Sequence, residues 1–302
     1  MRKLCSAGNV DHSPRFDFVY GCDPGTDKIA TAVWTALKDL REWDVIQFSN
    51  VPRGSVVEAL LEIARADGLP TRQHVWAKSP YITLKAQAHT GDLSQFALSR
   101  RFGYHLRHSW RRLQEQRPLC LRRVETADPS ALNAFYNLEK SGWKGRKGTA
   151  IACKQETQLF YDLIAQSAAQ FGYLSLYFLL WGDAILAAHF ALTCGGRYFP
   201  LKVAYDEDYS QYGPGHLIIG AVLQDCVTRG LTEFDCLGHW TEAKSKWTSQ
   251  VRAHMSCHIF RKGLRGRAFQ AKTNMSQVLI KTLRDLYQSS RSTRGRSVRQ
   301  MN

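Results

Sequence analysis

Apolar and polar residues are patterned most regularly between positions 173 and 238. Short runs rich in aromatic and branched side chains alternate there with glycine-containing turns, which is typical of strands in a meander. An apolar face at helical spacing then predicts a helix, and a further apolar run predicts one more strand. The expected elements are strands at 173–180, 184–193 and 197–205, a helix at 217–228 and a strand at 233–238.

The segment that joins the third of these strands to the helix reads Gln-Tyr-Gly-Pro-Gly-His, at 211–216. A helix that begins at a glycine-rich turn presents unpaired backbone N–H groups and the positive end of its dipole, so it can hold a phosphate. Glycine also lets a pyrophosphate approach the backbone closely. We predict a phosphate-binding turn here, with an ordinary helix entry as the alternative. Its candidate residues are Gln211, Gly213, Gly215 and His216.

The rest of the chain alternates between helical and strand patterns. A capping box at 55–58 opens a helix that Gly68 can end, and Asp128-Pro129 predicts another helix start. The residues expected to face inward from a helix over 156–171 are Leu159, Phe160, Leu163, Ile164 and Phe171. Further expected elements are strands at 16–20, 44–48, 72–78, 81–84, 119–125 and 251–260, and helices at 26–40, at 92–116 (continuous or broken near Gly103) and around 276–287.

Composition indicates a folded protein, and its length is sufficient for two domains. The chain has 302 residues, of which 44% are hydrophobic, and this is enough for two cores of ordinary size. Its apolar runs are much shorter than the roughly twenty residues that a membrane-spanning helix needs. The polar N-terminus lacks the apolar core of a signal peptide, so we expect a cytoplasmic protein. Eight cysteines without a Cys-x-x-Cys pair favour reduced thiols over a disulfide framework.

The net charge of +15 is concentrated in two segments. Residues 99–123 carry 8 basic and 1 acidic side chains, and residues 261–302 carry 11 and 1. The rest of the chain is nearly neutral. These segments are interpreted either as a solvated helix and a frayed tail, or as a site for a polyanion such as tRNA, a nucleotide-sugar polymer or an anionic membrane.

Three segments together resemble one protein family. They are Ser-Gly-Trp-Lys-Gly at 141–145 with Gly-Thr-Ala-Ile at 148–151, the stretch 204–217 with its Tyr-Asp-Glu and Pro-Gly pairs, and Phe-Asp-Cys-Leu-Gly at 234–238 with Lys-Ser-Lys-Trp at 244–247. They are similar to segments of the GNAT superfamily of N-acyltransferases, in its cellulose-biosynthesis, CelD-like branch. This branch is related to the Fem-type transferases that build peptidoglycan cross-bridges. The resemblance covers 90–260 well and 16–90 loosely.

The resemblance implies an α/β (α+β) fold in which two GNAT-like repeats form a mixed, mostly antiparallel sheet flanked by helices. The first repeat is expected to be partial. The expected segments are a flexible N-terminus at 1–15, the N-terminal repeat at 16–90, a basic connecting helix at 91–118, the acyltransferase domain at 119–265, and a basic tail at 266–302 with a disordered end.

The resemblance also implies acyl transfer from acyl-CoA to an amine, without a covalent enzyme intermediate. This chemistry needs a donor cradle, a proton acceptor and stabilisation of a tetrahedral oxyanion. Asp206, in an acidic run at the mouth of the predicted cleft, is the favoured base, with its two acidic neighbours in reserve and a solvated turn as the alternative. Tyr205 and Asp235 are the other catalytic candidates, and no metal is expected. The substrate-binding candidates are Trp143, Lys144 and Lys244.

The acceptor is expected to be a small-molecule, glycan or peptide amine in bacterial polysaccharide or cell-envelope biosynthesis. Two other functions stay open at this stage. One is a Fem-like transferase that takes its acyl group from aminoacyl-tRNA, which the two basic segments favour. The other is a non-catalytic GNAT scaffold in a polysaccharide-assembly complex. His189, in the middle of an apolar strand, is interpreted as a core histidine.

Overall fold

The computed structural model describes residues 2–7, 12, 14–21, 25–40, 42–84 and 93–275. These residues pack into two compact units. The first contains the chain up to Trp76 and from Ala253 onward, and the second contains Ala77–Arg252. Asp92, the helix expected around 276–287 and the C-terminal end lie outside the described residues.

Most helices and strands follow the alternation that the sequence predicts, but the strand expected at 16–20 is wrong, because these residues adopt no regular structure. In chain order they are β1 (Lys3–Cys5), α1 (Thr26–Asp39), β2 (Val45–Pro52), α2 (Val56–Ala66), β3 (Thr71–Thr83), α3 (Arg100–Gln114), β4 (Leu119–Val124), α4 (Pro129–Ser141), α5 (Trp143–Arg146), α6 (Gln155–Gln170), β5 (Leu174–Trp181), β6 (Ala184–Cys194), β7 (Arg197–Tyr205), α7 (Pro214–Thr228), β8 (Glu233–Asp235), α8 (Glu242–Ser245) and β9 (Val251–Phe260). Short 3-10 turns lie at Leu93–Phe96, Ile151–Cys153 and Glu207–Tyr212.

In the first unit, β2 lies between β1, which is parallel to it, and β9, which is antiparallel to it. The second unit contains a mixed sheet in the order β3-β8-β7-β6-β5-β4. In it β4 to β7 are an antiparallel meander, of which the sequence predicted β5 to β7, and β7 pairs with β8 in parallel. These strand orders do not show two side-by-side repeats, which stay a prediction. Across the described ranges, no helix combines the length and apolar character that a membrane span requires.

Local capping explains where several helices begin. In the first unit, Ser55 Oγ accepts a hydrogen bond from the N–H of Glu58 at 3.3 Å, and the Glu58 carboxylate accepts one from the N–H of Gly54 at 2.7 Å. The predicted capping box is therefore present, although its return bond reaches one residue further back than usual. In the second unit, Asp128 caps α4 and Pro129 occupies its first turn, as predicted.

The expected break in β3 and the expected start of the helix before residue 100 are also wrong. β3 is continuous through Pro80, where the sequence predicted a break. Proline lacks a backbone donor but keeps its acceptor, and the Pro80 carbonyl receives the N–H of Cys236 at 3.0 Å. The helix expected over 92–116 begins only at Arg100, where Ser99 caps it, and a 3-10 turn precedes it. Of the two alternatives for this helix, the continuous one is confirmed, since α3 passes through Gly103 unbroken.

The inward face of α6 is also not the predicted one. Leu159, Leu163 and Phe171 are 57%, 53% and 64% exposed, and Phe160 is 40% exposed. The buried residues of α6 are Tyr161, Ala165 and Ala168 instead. Of the predicted set, Ile164 packs against this core as a partly buried residue. The sheet and α4 already fill this core with large rings, so α6 approaches with small residues and one tyrosine. Tyr161 packs edge-on against Phe190, with ring centroids 5.2 Å apart.

The two faces of the second unit's sheet carry separate hydrophobic clusters. One contains the buried residues of α7, among them Leu217, Ile218 and Val222, with Tyr177 and Tyr198 from the strands. The other contains buried residues of α4 and α6 with strand residues of the opposite face. α4 and α7 therefore approach the end of β7 from opposite sides, and this places the site described next.

Candidate functional site

The sheet divides between β7 and β8. Their parallel pairing is limited to Arg197 with Glu233 and Tyr198 with Phe234, and β8 ends one residue later. β7 continues to Tyr205 while it stays paired with β6 on its other side. The last residues of β7 therefore have a strand neighbour on one edge only.

The free edge of β7 presents identifiable backbone groups. The N–H of Asp206 donates to the carbonyl of Leu186 at 2.9 Å, which makes these two residues a hydrogen-bonded pair. Such pairs alternate along an antiparallel ladder, so the N–H and C=O groups of Val203 and Tyr205 point away from β6. The Val203 carbonyl on that edge accepts a hydrogen bond from Lys144 Nζ at 2.8 Å. The N–H of Tyr205 follows it along the same edge.

A small cavity opens where α4, α5 and the end of β7 meet. It brings together three of the predicted site residues, Trp143, Lys144 and Tyr205. Glu207, a reserve candidate for the base, also lines it. The complete lining is Leu138, Glu139, Gly142, Trp143, Lys144, Val203, Ala204, Tyr205 and Glu207.

Glu139 and Lys144 form a buried ion pair at this cavity. The Glu139 side chain is 1% exposed, and its Oε1 lies 2.7 Å from Lys144 Nζ. Its Oε2 accepts a hydrogen bond from the N–H of Ile151 at 2.8 Å. A buried carboxylate is tolerated here because both oxygens have partners. Sequence reasoning did not select Glu139.

Glycine allows α5 to fold back on the end of α4. A Cβ atom at Gly145 would lie 1.7 Å from the carbonyl oxygen of Lys140, so no larger residue fits. A Cβ atom at Gly142 would lie 3.3 Å from the Glu207 carboxylate. The glycines of this segment were the sequence signal for the ion pair, since they permit the tight return that brings Lys144 to Glu139.

The three acidic residues that follow β7 make different contacts. The Glu207 carboxylate accepts hydrogen bonds from the backbone N–H of Trp143 at 2.8 Å and from Arg146 at 2.7 Å. The Arg146 hydrogen bond is the main cause that lowers the pKa of Glu207. Asp206 Oδ1 accepts the N–H of Asp208 at 3.0 Å and so caps the following 3-10 turn, while Asp208 is exposed. Asp206 thus keeps one carboxylate oxygen outside the cap.

The predicted phosphate turn offers fewer free donors than its sequence indicates. Gly213 has a left-handed backbone (φ 66°), and its N–H donates to Ser210 at 3.0 Å. The N–H of His216 donates back to the Gly213 carbonyl at 2.8 Å, and Pro214 has no N–H. Of the turn's described backbone donors, this leaves the Gly215 N–H for a ligand. A Cβ on Gly215 would lie 3.3 Å from Cδ1 of Tyr205, so this turn packs directly against the site tyrosine.

His216 is held in one tautomer by an aromatic neighbour. Trp247 Nε1 lies 3.2 Å from His216 Nδ1, and an indole nitrogen can only donate. The neutral imidazole therefore carries its proton on Nε2. Burial lowers the pKa of His216 to about 4, so this neutral form persists at pH 7. His216 thereby adds a side-chain donor to the turn, while Gln211 is exposed nearby in the chain.

Asp235 and Lys244 lie in a second group that does not line the cavity. Asp235 is fully buried and accepts the N–H of Leu237 at 2.9 Å. Lys244 Nζ donates to the carbonyls of Leu237 at 2.5 Å and His239 at 3.1 Å, and burial lowers its pKa. Leu237 has an unusual positive φ of 51°. These contacts show Lys244 supporting the loop after β8.

In the parts of the chain described above, no three His, Cys, Asp or Glu side chains are grouped closely enough to hold a metal ion.

His189 is fully buried, with Nδ1 3.0 Å from the Tyr198 hydroxyl. Its Nε2 is among the buried atoms that have no hydrogen-bond partner. The pKa of His189 is lowered to about 3, mainly by burial and to a smaller extent by the positive charge of Lys144.

His189 should make the second unit less stable in mild acid. The unfolded histidine takes up a proton near pH 6.5 but the folded one only near pH 3, so between these values the unfolded state binds more protons. Lowering the pH from 7 to 5 should therefore reduce the free energy of unfolding by about 2 kcal/mol through this residue. Urea denaturation of His189→Asn at pH 7 and pH 5 should show a change in the free energy of unfolding that is smaller than in the wild type by this amount. His105→Asn, at an exposed position, is the control, and an equal difference in both variants would contradict the assignment.

Comparison with known proteins agrees with this geometry. Residues 100–245 match the family model described as "Acetyltransferase (GNAT) domain". No curated protein sequence matches the chain significantly.

Among solved structures, FemX has a TM-score of 0.56 at 12% identity, over 81% of this chain and 79% of its own. L-PGS from Bacillus licheniformis has a TM-score of 0.53 at 15% identity, over 79% and 74%. A conserved protein of unknown function from Bacteroides thetaiotaomicron has a TM-score of 0.53 at 11% identity, over 78% and 75%. At such identities these structures show a shared fold alone. Residues 100–245, a little under half of the chain, are thus similar to the GNAT acetyltransferase family.

Proposed function

We propose that this protein is an N-acyltransferase that moves an acyl group, most simply acetyl, from acyl-CoA directly to an amine. The observation that carries the proposal is the free edge of β7 next to the start of α7. A thioester lying along this edge can place its carbonyl oxygen at the N–H of Tyr205. The Gly215 N–H and the His216 Nε2–H can then hold a phosphate of the same donor at the positive end of the helix.

The cavity beside this edge suits the acceptor. Trp143 is 43% exposed and offers an aromatic surface at its lip, with the Lys147 ammonium 5.2 Å from the ring centroid. Asp206 directly follows Tyr205 and has a carboxylate oxygen that can take the amine's proton, either directly or through water. In this arrangement Asp235 and Lys244 support the loop after β8. An acceptor in polysaccharide or cell-envelope assembly remains part of the proposal.

A second candidate is transfer from aminoacyl-tRNA, favoured by the surface of α3. This helix contains five arginines and no acidic residue. Its Tyr104 is 58% exposed and stacks on His108, with ring centroids 5.8 Å apart. Exposed arginines interleaved with an aromatic ring suit an RNA backbone and an unstacked base.

Ligand-induced stabilisation tests the donor. We expect acetyl-CoA or a longer acyl-CoA at a hundred times its Kd to stabilise the wild type by about 2.7 kcal/mol. Gly215→Trp should abolish this shift because any side chain there meets Tyr205. Gln166→Trp, at an exposed position on α6, should keep it.

Each other outcome selects a different function. Stabilisation by bulk tRNA with none by acyl-CoA would favour the aminoacyl-tRNA candidate. Stabilisation by neither would favour a non-catalytic scaffold. An acyl-CoA shift that persists in Gly215→Trp would show that the donor does not use this turn.

A further inference from the structure

We propose that Lys144 is a catalytic residue that donates a hydrogen bond to the oxyanion of the acyl-transfer intermediate, beside the N–H of Tyr205. This role rests on the proposed acyl transfer at the free edge of β7. It replaces the expectation that Lys144 is a substrate-binding residue.

The contacts of the ammonium group locate it at the reacting edge. A lysine ammonium has three N–H donors. Two of them reach Glu139 Oε1 at 2.7 Å and the Val203 carbonyl at 2.8 Å. Lys144 also lines the cavity, so its third donor is left for a group bound there.

The order of groups along β7 places this donor beside another. On one edge of a strand, the C=O of residue i is followed by the N–H of residue i+2. The ammonium bound to the Val203 carbonyl is therefore next to the N–H of Tyr205. A single oxygen atom in the cavity can accept from both donors, which is the arrangement that stabilises an oxyanion.

The buried partner of Lys144 explains why this lysine suits an oxyanion better than a mobile substrate anion. Glu139 and the strand carbonyl hold the ammonium at a fixed point, and only 21% of the Lys144 side chain is exposed. Donors that are already held in place need no reorganisation when negative charge develops on the oxygen. In a site partly shielded from water, their hydrogen bonds stabilise this charge more than they would in solution. A lysine that collects a phosphate from solvent gains nothing from such anchoring.

The reaction step balances with these groups. The amine nitrogen attacks the thioester carbonyl carbon, and the C=O electron pair moves to the oxygen, which accepts the hydrogen bonds of Lys144 and Tyr205. The amine's proton passes to Asp206. Collapse of the intermediate re-forms the C=O bond and breaks the C–S bond. The CoA thiolate leaves and takes the proton back from Asp206, directly or through water, which restores the carboxylate. Lys144 keeps its protons throughout.

Steady-state kinetics with a simple acceptor tests the role. The probes are acetyl-CoA and hydroxylamine, a small nucleophilic amine, with CoA release as the signal. We expect Lys144→Met to lower kcat by about 10²- to 10³-fold. The KM for acetyl-CoA and the thermal shift by free CoA should stay as in the wild type, because the donor's phosphates bind at the start of α7. Lys140→Met, exposed on the neighbouring helix α4, is the control.

Lys144→Met leaves Glu139 buried with one oxygen unpaired, so the double variant Glu139→Gln with Lys144→Met provides a folded form without either charge. A folded double variant that binds CoA but has lost kcat supports the proposal. Wild-type kcat in that variant overturns it, as does a variant that has lost CoA binding in place of kcat. A wild type that neither binds CoA nor releases it overturns the acyl-CoA function itself, which is a distinguishable result.

Discussion

Glu139→Ala should lower the free energy of unfolding of the second unit by about 3–5 kcal/mol, as is usual when one partner of a buried ion pair is removed. Two losses add up here. Lys144 Nζ would lose the carboxylate at 2.7 Å, and the N–H of Ile151 would lose its acceptor. Urea denaturation at pH 7, followed by tryptophan fluorescence and circular dichroism, measures the change.

Two variants separate this effect from a general sensitivity of α4. Glu139→Gln keeps an acceptor for Ile151 and the shape of the side chain, so it should cost less than the alanine. Lys140→Ala removes a neighbouring charge on the exposed side of α4 and should change stability by no more than about 0.5 kcal/mol. If Glu139→Ala unfolds as easily as Lys140→Ala, the ion pair does not support this end of the domain.

The parts of the fold that sequence reasoning predicted depend on local chemistry. The capping box at Ser55, the proline start of α4 and the glycine turns of the β5–β7 meander each follow from a few neighbouring residues. The inward residues predicted for α7 include Leu217, Ile218 and Val222, and these three are buried. Short-range rules were sufficient in these places.

The errors come from long-range packing. α6 has apolar residues on both sides, and which side is buried depends on the rings that β5, β6 and α4 place against it. The sequence predicted that the face with the larger apolar side chains is buried, but the space beside these rings holds Ala165 and Ala168. Similarly, the backbone donors of the phosphate turn were counted from its glycines, and the bonds made by Gly213 and His216 depend on the 3-10 turn before them.

The loop residues of the candidate site were predictable from the sequence, but the buried Glu139 and the unpaired edge of β7 were not. Trp143 and Lys144 were selected from one segment and Tyr205 from another, and the structure brings all three to one cavity. Glu139 was missed because a glutamate near the end of a helix usually faces water. It is buried only because α5 folds back at Gly145 and delivers Lys144 to it. The limited pairing between β7 and β8, which exposes the reacting edge, has no short sequence signature.

Asp206→Asn should lower kcat/KM for acyl transfer by about 10²- to 10⁴-fold, the usual contribution of a general base. The substitution is well matched to the structure. The asparagine oxygen can still accept the N–H of Asp208, so the cap of the 3-10 turn is kept while the basic oxygen is lost. CoA release with acetyl-CoA and hydroxylamine, measured at pH 7, should show the loss.

The two neighbouring acids provide the controls that make this assignment specific. Asp208→Asn changes an exposed carboxylate and should leave kcat/KM near the wild-type value. Glu207→Gln should act through structure, because its carboxylate holds Arg146 and the N–H of Trp143, so we expect a higher KM for the acceptor with a smaller loss of kcat. Full activity in Asp206→Asn together with a loss of kcat in Glu207→Gln would identify Glu207 as the general base in place of Asp206. Full activity in all three variants would mean that the amine reaches this site already deprotonated, and that the run 206–208 only shapes the loop.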